Sequence, residues 1–119
     1  MTFERQKTGQ LGEEIASQFL RKLGYKIKER NYRSNFGELD IIARTAEYLV
    51  FCEVKTKQGV GGVHPSLSVT KKKRKKLRQL GEFYISQGHL MHLQPRFDVI
   101  AVQLVDEKPP IIDHYINAF

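Results

Sequence analysis

Leu11, Ile15, Phe19 and Leu23 recur every four residues, the spacing of one face of a helix. Thr8 stands ahead of this stripe as a candidate N-cap and Gly24 follows it as a stop, so the pattern predicts a helix between them. From Tyr25 to Tyr32 the alternation is loose, as in an edge strand, and Asn31 to Gly37 is polar and turn-like. Two nearly continuous apolar runs come next, Glu38 to Arg44 and Tyr48 to Lys55. Runs of this kind predict strands covered on both faces, and the short gap between them predicts an antiparallel hairpin. Gln58 to Ser68 is rich in Gly, Pro and Ser and reads as a loop. A second helix is expected from Val69 or Thr70 to Gln87, ended by Gly88, with Leu77, Leu80, Tyr84 and Ile85 as its packing face. Arg96 to Val105 reads as a central strand, Pro109-Pro110 as a turn, and Ile111 to Ile116 as a last strand. The order α-β-β-β-α-β-β predicts a single α/β domain over residues 1–119, with a mixed central sheet flanked by helices.

Composition narrows the function classes. A chain of 119 residues with 40% hydrophobic and 28% charged residues can bury one core. No apolar run approaches the roughly 18–20 residues of a membrane-spanning helix, and the polar start, Met1 to Gly9, offers no signal-peptide apolar region. The expectation is a soluble cytoplasmic protein. Cys52 is the only cysteine, which excludes an intrachain disulfide and a multi-cysteine zinc site. Within its apolar run it reads as a small buried hydrophobe.

The formal charge of +7 is concentrated in one octapeptide that contains Lys71, Lys72, Lys73, Arg74, Lys75, Lys76 and Arg78. Without these seven, 13 basic residues face 13 acidic ones. A field so localised attracts polyanions, nucleic acid ahead of an anionic membrane.

Asp40 and Glu53 each interrupt a strand that otherwise reads as buried, and an unpaired buried carboxylate costs several kcal/mol. If Ala46 and Glu47 form the hairpin tip, Thr45 faces Tyr48, Asp40 faces Glu53, and Glu38 faces Lys55. Opposed residues share a face, which would gather two acids and Lys55 at one end of the hairpin. A hard divalent cation between the carboxylates would relieve their repulsion. An ion-pair cluster neutralised by Lys55 would do the same without any metal. Ala-Glu is not a favoured two-residue tip, and a three-residue loop would break this pairing. Glu13 lies off the Leu11–Ile15–Phe19 stripe and reads by itself as a solvated charge, and His89 and His92 as exposed loop residues.

An ordered set of motifs adds to this reading. Gly9-x-x-Gly12-Glu13-x-x-Ala16, Asn31-Tyr32-Arg33, Gly37-Glu38-Leu39-Asp40, Val50-Phe51-Cys52-Glu53-Val54-Lys55, Arg96-Phe97-Asp98 and Asn117-Ala118-Phe119 follow one another along nearly the whole chain. Together they resemble the YraN-type family, a bacterial branch of the restriction-endonuclease-like nuclease superfamily. The resemblance implies an αβββαβ core and a D…ExK metal site, with Asp40 as the D and Glu53-Val54-Lys55 as the ExK. Glu13 resembles the helix-borne acid that Holliday-junction-resolvase-like relatives add to such a site. Asp98 matches a family motif whose role the sequence leaves open, and Gly81 stands where the family leads one to expect alanine.

The expectation is thus an Mg²⁺- or Mn²⁺-dependent endonuclease that hydrolyses DNA phosphodiesters. Asp40 and Glu53, with Glu13, would hold the metal, Lys55 would assist the reaction, and the basic run would grip phosphates. A resolvase-like action calls for a homodimer, because two opposed strands must be cut. The rival readings are a non-catalytic nucleic-acid-binding module and a partner-binding adaptor.

Overall fold

Leu49, Val50, Phe51 and Cys52 are all fully buried, which requires cover on both sides of their strand. The computed structural model, which describes residues 3–59 and 70–118, supplies that cover with one helix on each face of a sheet. The elements run α1 (Phe3–Lys22), β1 (Lys26–Ser34), β2 (Gly37–Arg44), β3 (Tyr48–Gln58), α2 (Lys71–Gly88), β4 (Gln94–Leu104) and β5 (Ile111–Tyr115). The five strands lie side by side in chain order. All neighbours are antiparallel except β3 and β4, which are parallel and joined across α2. The fold is therefore mixed α/β, in the element order that the apolar pattern predicts. Among the described residues no helix is long and apolar enough to cross a membrane.

Two clusters divide the core. On the α1 face, Ala16 and Leu20 pack with Ile41, Ala43, Val50, Cys52, Ile100 and Val102. On the α2 face, Leu77 and Leu80 pack with Leu39, Ile42, Leu49 and Phe51.

Several local expectations change. The first helix begins at Phe3, so Thr8 lies inside it and is not its cap. Its most buried positions are not the large-residue stripe, since Leu11 is 51% and Leu23 56% exposed. The small residues Gly12, Ala16 and Ser17 face the sheet with Leu20 instead. A Cβ built on Gly12 would lie 1.8 Å from Thr56 Oγ1, so this helix sits closer to β3 than any residue but glycine permits. Volume, not hydrophobicity alone, selects the buried face. The stop at Gly24 is as expected, with φ at +94° and the Tyr25 N–H donating to Leu20 O at 3.0 Å.

β1 runs on to Ser34 and so absorbs most of the segment that reads as a turn. The turn is only Asn35-Phe36, because Ser34 pairs with Gly37. At the β2–β3 tip, Thr45 and Tyr48 flank the two-residue connection, with the Thr45 N–H donating to Tyr48 O at 2.9 Å. Thr45 Oγ1 accepts from the Tyr48 N–H at 3.0 Å, which lets a tip without Asn-Gly close. The second helix starts at Lys71, with Thr70 as its cap instead of its first residue, and ends at Gly88, one residue later than predicted, with His89 taking the left-handed cap. Gly81 packs tightly on Phe97 and Phe51, at 3.1 and 3.3 Å from a built Cβ; their stacked rings occupy the room an alanine methyl would need. From residue 60 on, the expected Gln58–Ser68 loop lies outside the described residues.

Candidate active site

The hairpin has the register that a symmetric tip requires. Ile41 pairs with Cys52, Ile42 with Phe51, Ala43 with Val50 and Arg44 with Leu49. Continued by one step, this ladder would set Asp40 opposite Glu53, but it stops at Ile41. The Asp40 side chain takes over as acceptor, and its Oδ2 receives the Val54 N–H at 2.7 Å. On the other side of β2, β1 pairs Arg30 with Ile41 and Tyr32 with Leu39, and the intervening Asn31 adopts a left-handed φ of +53°. Regular pairing is thus interrupted on both sides of Asp40. Leu39 and Ile41, which strict alternation would put together, consequently pack on opposite faces of the sheet. The interruption opens the end of the hairpin at the two acids.

Glu13 reaches the same place from α1. The close seat of Gly12 on Thr56 brings its neighbour down beside Asp40, and the two carboxyl groups interact by hydrogen bond and by charge. The Asp40 carboxyl is pushed up to about 7, first by burial and then by the charges of Glu53 and Glu13, against the opposing pull of the Val54 N–H. An open cleft of about 480 Å³ adjoins, with Glu13, Val54, Thr56 and Lys57 in its lining.

Glu53 is only 14% exposed, and its Oε2 lies 3.1 Å from Lys73 Nζ. Oε2 is sealed from solvent and meets the ammonium as an ion pair, without a hydrogen-bond partner. Lys55, half-buried and paired with Ala101 in the β3–β4 ladder, keeps to Glu53's side of the strand by period-two alternation. Among the described residues no three acidic, histidine or cysteine side chains close up into a ready-made metal cluster. The donor set is nonetheless of the right kind for a hard cation, which prefers one or two carboxylates together with water. A buried Glu53 carboxylate that is ion-paired but not hydrogen-bonded at Oε2, and whose charge acts on the Asp40 carboxyl, fits that description.

The basic run divides. Lys71, Lys72, Lys75, Lys76 and Arg78 are exposed, while Lys73 and Arg74 are half-buried. His89 and His92 are exposed, as expected, and Cys52 is a buried free thiol.

Asp98 has a structure that the sequence left open. It is fully buried and accepts from Arg96 Nε at 3.0 Å and Nη2 at 2.8 Å. It also accepts from the Asn117 N–H at 2.9 Å and meets His114 Nε2 at 2.7 Å. Burial pushes its carboxyl up, but the hydrogen bonds of His114, Arg96 and Asn117 more than offset this and hold it below the usual carboxylate value. Arg96 in turn donates to the Tyr25 hydroxyl at 2.6 Å and lies over the Tyr48 ring, 5.0 Å from its centroid. Asp98 is thus a clamp that ties β4 to β5 and to the chain after it. The signal available in sequence was the Arg96-x-Asp98 spacing, which puts a cation and an anion on one face of a strand.

Comparison with known proteins places the chain in a family. Residues 12–102 match the model of the Uncharacterised protein family UPF0102. The chain belongs to the UPF0102 family. The matched span contains Glu13, Asp40, Glu53, Lys55, the basic run and Asp98. Among similar UPF0102 proteins, one from Syntrophotalea carbinolica is 40% identical over 119 residues, covering 100% of this chain and 96% of the relative. One from Carboxydothermus hydrogenoformans is 42% identical and covers 95% of each chain. A third, from Pelobacter propionicus, is 44% identical over 98% of this chain and 84% of its own length.

Proposed function

We propose that this UPF0102 protein is a metal-dependent nuclease of the restriction-endonuclease-like kind, acting on DNA phosphodiesters. The observation that carries the reading is the pair of carboxyl groups at Asp40 and Glu53. The charge of Glu53 acts on Asp40 where the β2–β3 ladder stops, and a proton or a cation would offset that repulsion. Asp40 and Glu53 would hold Mg²⁺ or Mn²⁺, with Glu13 close enough to Asp40 to join them or to share its proton. Bound there, the ion would supply Lewis-acid activation of water and of the phosphodiester. Lys55, on Glu53's side of the strand, would offset negative charge developing on the phosphoryl group.

The charge distribution of α2 supports a nucleic-acid partner. A helix N-terminus is already the positive end of its dipole and favours acidic residues, yet the first turn of α2 holds no acid. Stacking cations there opposes helix stability and is offset when a polyanion docks. Contacts of this type hold phosphates without reading sequence. A homodimer would present two such sites to opposed strands.

The test is a cleavage screen over branched and linear DNA with Mg²⁺ or Mn²⁺, using wild type, Asp40→Asn and Lys55→Met purified in parallel. Lys55→Met is expected to leave folding and DNA affinity nearly intact. It should lower the cleavage rate by two or more orders of magnitude, about 3–4 kcal/mol of lost transition-state stabilisation. Cleavage at the wild-type rate in that variant would refute the assignment. Tight DNA binding with no wild-type cleavage on any substrate would leave a non-catalytic nucleic-acid-binding module.

A further inference from the structure

Lys73 is set apart from the other lysines of the basic run. Helical spacing aligns it with Leu77, Gly81 and Tyr84, the row that packs on the sheet. Its backbone is pinned at the start of the helix, where its N–H donates to the cap hydroxyl of Thr70 at 3.1 Å. At that end the row has run past the apolar cluster, and what lies beneath it is Glu53, 3.1 Å from the ammonium. The contact is buried on one side, the Glu53 side chain being only 14% exposed and the Lys73 side chain 39%. The geometry also leaves Glu53 Oε2 without a hydrogen bond, so the ammonium balances charge there without fixing the carboxylate in place. A weakly directed, partly buried cation on a carboxylate can be exchanged for another cation.

We infer that Lys73 is a tethered counter-ion of the site: it holds Glu53 when no divalent cation is bound, competes with that cation for the carboxylate, and on release turns to a phosphate of bound nucleic acid. The inference rests on the metal-site reading given above and adds a coupling to it. Because the same ammonium serves either Glu53 or a phosphate, divalent-cation binding and nucleic-acid binding favour one another, and the effect is reciprocal. The other exposed cations of α2 would then set the basal grip on DNA, and Lys73 would report whether the site is loaded.

The experiment has two arms, neither of which reads cleavage. In the first, Mn²⁺ is titrated calorimetrically into wild type, Lys73→Met and Lys73→Arg without nucleic acid. Methionine keeps much of the aliphatic stem, and circular dichroism checks the fold. Lys73→Met is expected to bind Mn²⁺ roughly tenfold more tightly, since a competing partly buried charge is gone. Lys73→Arg, which keeps the charge, should stay close to wild type. In the second arm, affinity for mixed-sequence duplex DNA is measured in EDTA over a salt series. Glu53→Gln frees Lys73, so its binding should tighten and its log–log salt slope should steepen by about one. The steepening should vanish in the Glu53→Gln/Lys73→Met double variant.

Equal Mn²⁺ affinities in wild type and Lys73→Met would overturn the inference and leave the metal site standing. An unchanged slope in Glu53→Gln would overturn the transfer to phosphate. No Mn²⁺ binding by either protein would overturn the inference and the metal reading together. Tighter binding by Lys73→Met, where the separate cleavage screen finds no cut DNA, would support the counter-ion role and remove the nuclease reading alone.

Discussion

Asp40 and Asp98 are both carboxylates set among apolar strand residues, yet their surroundings are built in opposite ways. Asp98 is surrounded by donors: a guanidinium, an imidazole and a backbone N–H all converge on its two oxygens. Its charge is balanced inside the fold. Asp40 has one backbone donor, from Val54, and two acidic neighbours, Glu53 and Glu13. Its charge is not balanced by anything else on its own strand. Burial opposes ionisation at both positions, and the partners decide the outcome. The comparison shows that burial of an acid does not by itself mark a functional site. A buried acid with complete partners is a clamp, and a buried acid among like charges is waiting for a counter-ion or a proton.

The largest effect should come from breaking the balanced centre. Asp98→Ala strands the Arg96 guanidinium in a buried position, and loss of one partner of such a pair costs about 3–5 kcal/mol. Urea denaturation should show a midpoint lowered accordingly, and a loss below about 1 kcal/mol would mean that the clamp is dispensable.

Asp40→Asn should act in the opposite direction. With its carboxyl raised to about 7 in the fold against an ordinary 3.8, wild type loses stability as pH rises between those values. The carboxyl is protonated in both states below the lower value and charged in both above the upper one, so the full penalty applies above about pH 7. The ceiling on that penalty is about 4 kcal/mol. Relative to wild type, Asp40→Asn should therefore gain stability from pH 4 to 8, while any stabilisation by Mn²⁺ disappears. Asp98 has the reverse sign. Its carboxyl is held below the usual value, so its contribution is full above 3.8 and is lost as pH falls further. Acid titration followed by denaturation at each pH separates the two, and a flat difference between wild type and Asp40→Asn would contradict the repulsive environment.

A smaller effect is expected where α1 meets the sheet. Gly12→Ala would place a methyl in collision with Thr56, and overpacking of this kind costs about 1–3 kcal/mol. It should also lift Glu13 away from Asp40, so the Asp40 titration should move toward the ordinary carboxylate range. Nuclear magnetic resonance of the Asp40 carboxyl reads that movement directly. An unchanged titration would remove Glu13 from the site.

The chain order of elements was readable because helix and strand periods are local properties, and the run Leu49–Cys52 is long enough to require cover on both faces. The hairpin register was readable as far as Ile41–Cys52, since a two-residue tip between Thr45 and Tyr48 fixes the pairs next to it. The expected Asp40–Glu53 and Glu38–Lys55 pairs do not form, because the ladder stops at Ile41, where the Asp40 side chain takes the Val54 N–H and Glu38 pairs with Arg33 on β1. The face that α1 buries was not readable, because hydrophobicity pointed to the Leu11 stripe, whereas clearance over Thr56 selects the small residues Gly12, Ala16 and Ser17. Glu13 looked like a surface charge for the same reason.

Tertiary structure alone decided what each charged group meets. Arg96 and Asp98 are two residues apart in sequence, but His114 and Asn117 reach them only because β5 folds back along β4. Lys73 was one of seven similar cations within eight residues, and only the docking of α2 over β3 sets it against Glu53. Sequence determines where the chain must bend and which side chains must be buried, since those depend on neighbours along the backbone. It does not determine which charges are balanced, because that depends on groups brought together from distant strands and on the angles at which they meet.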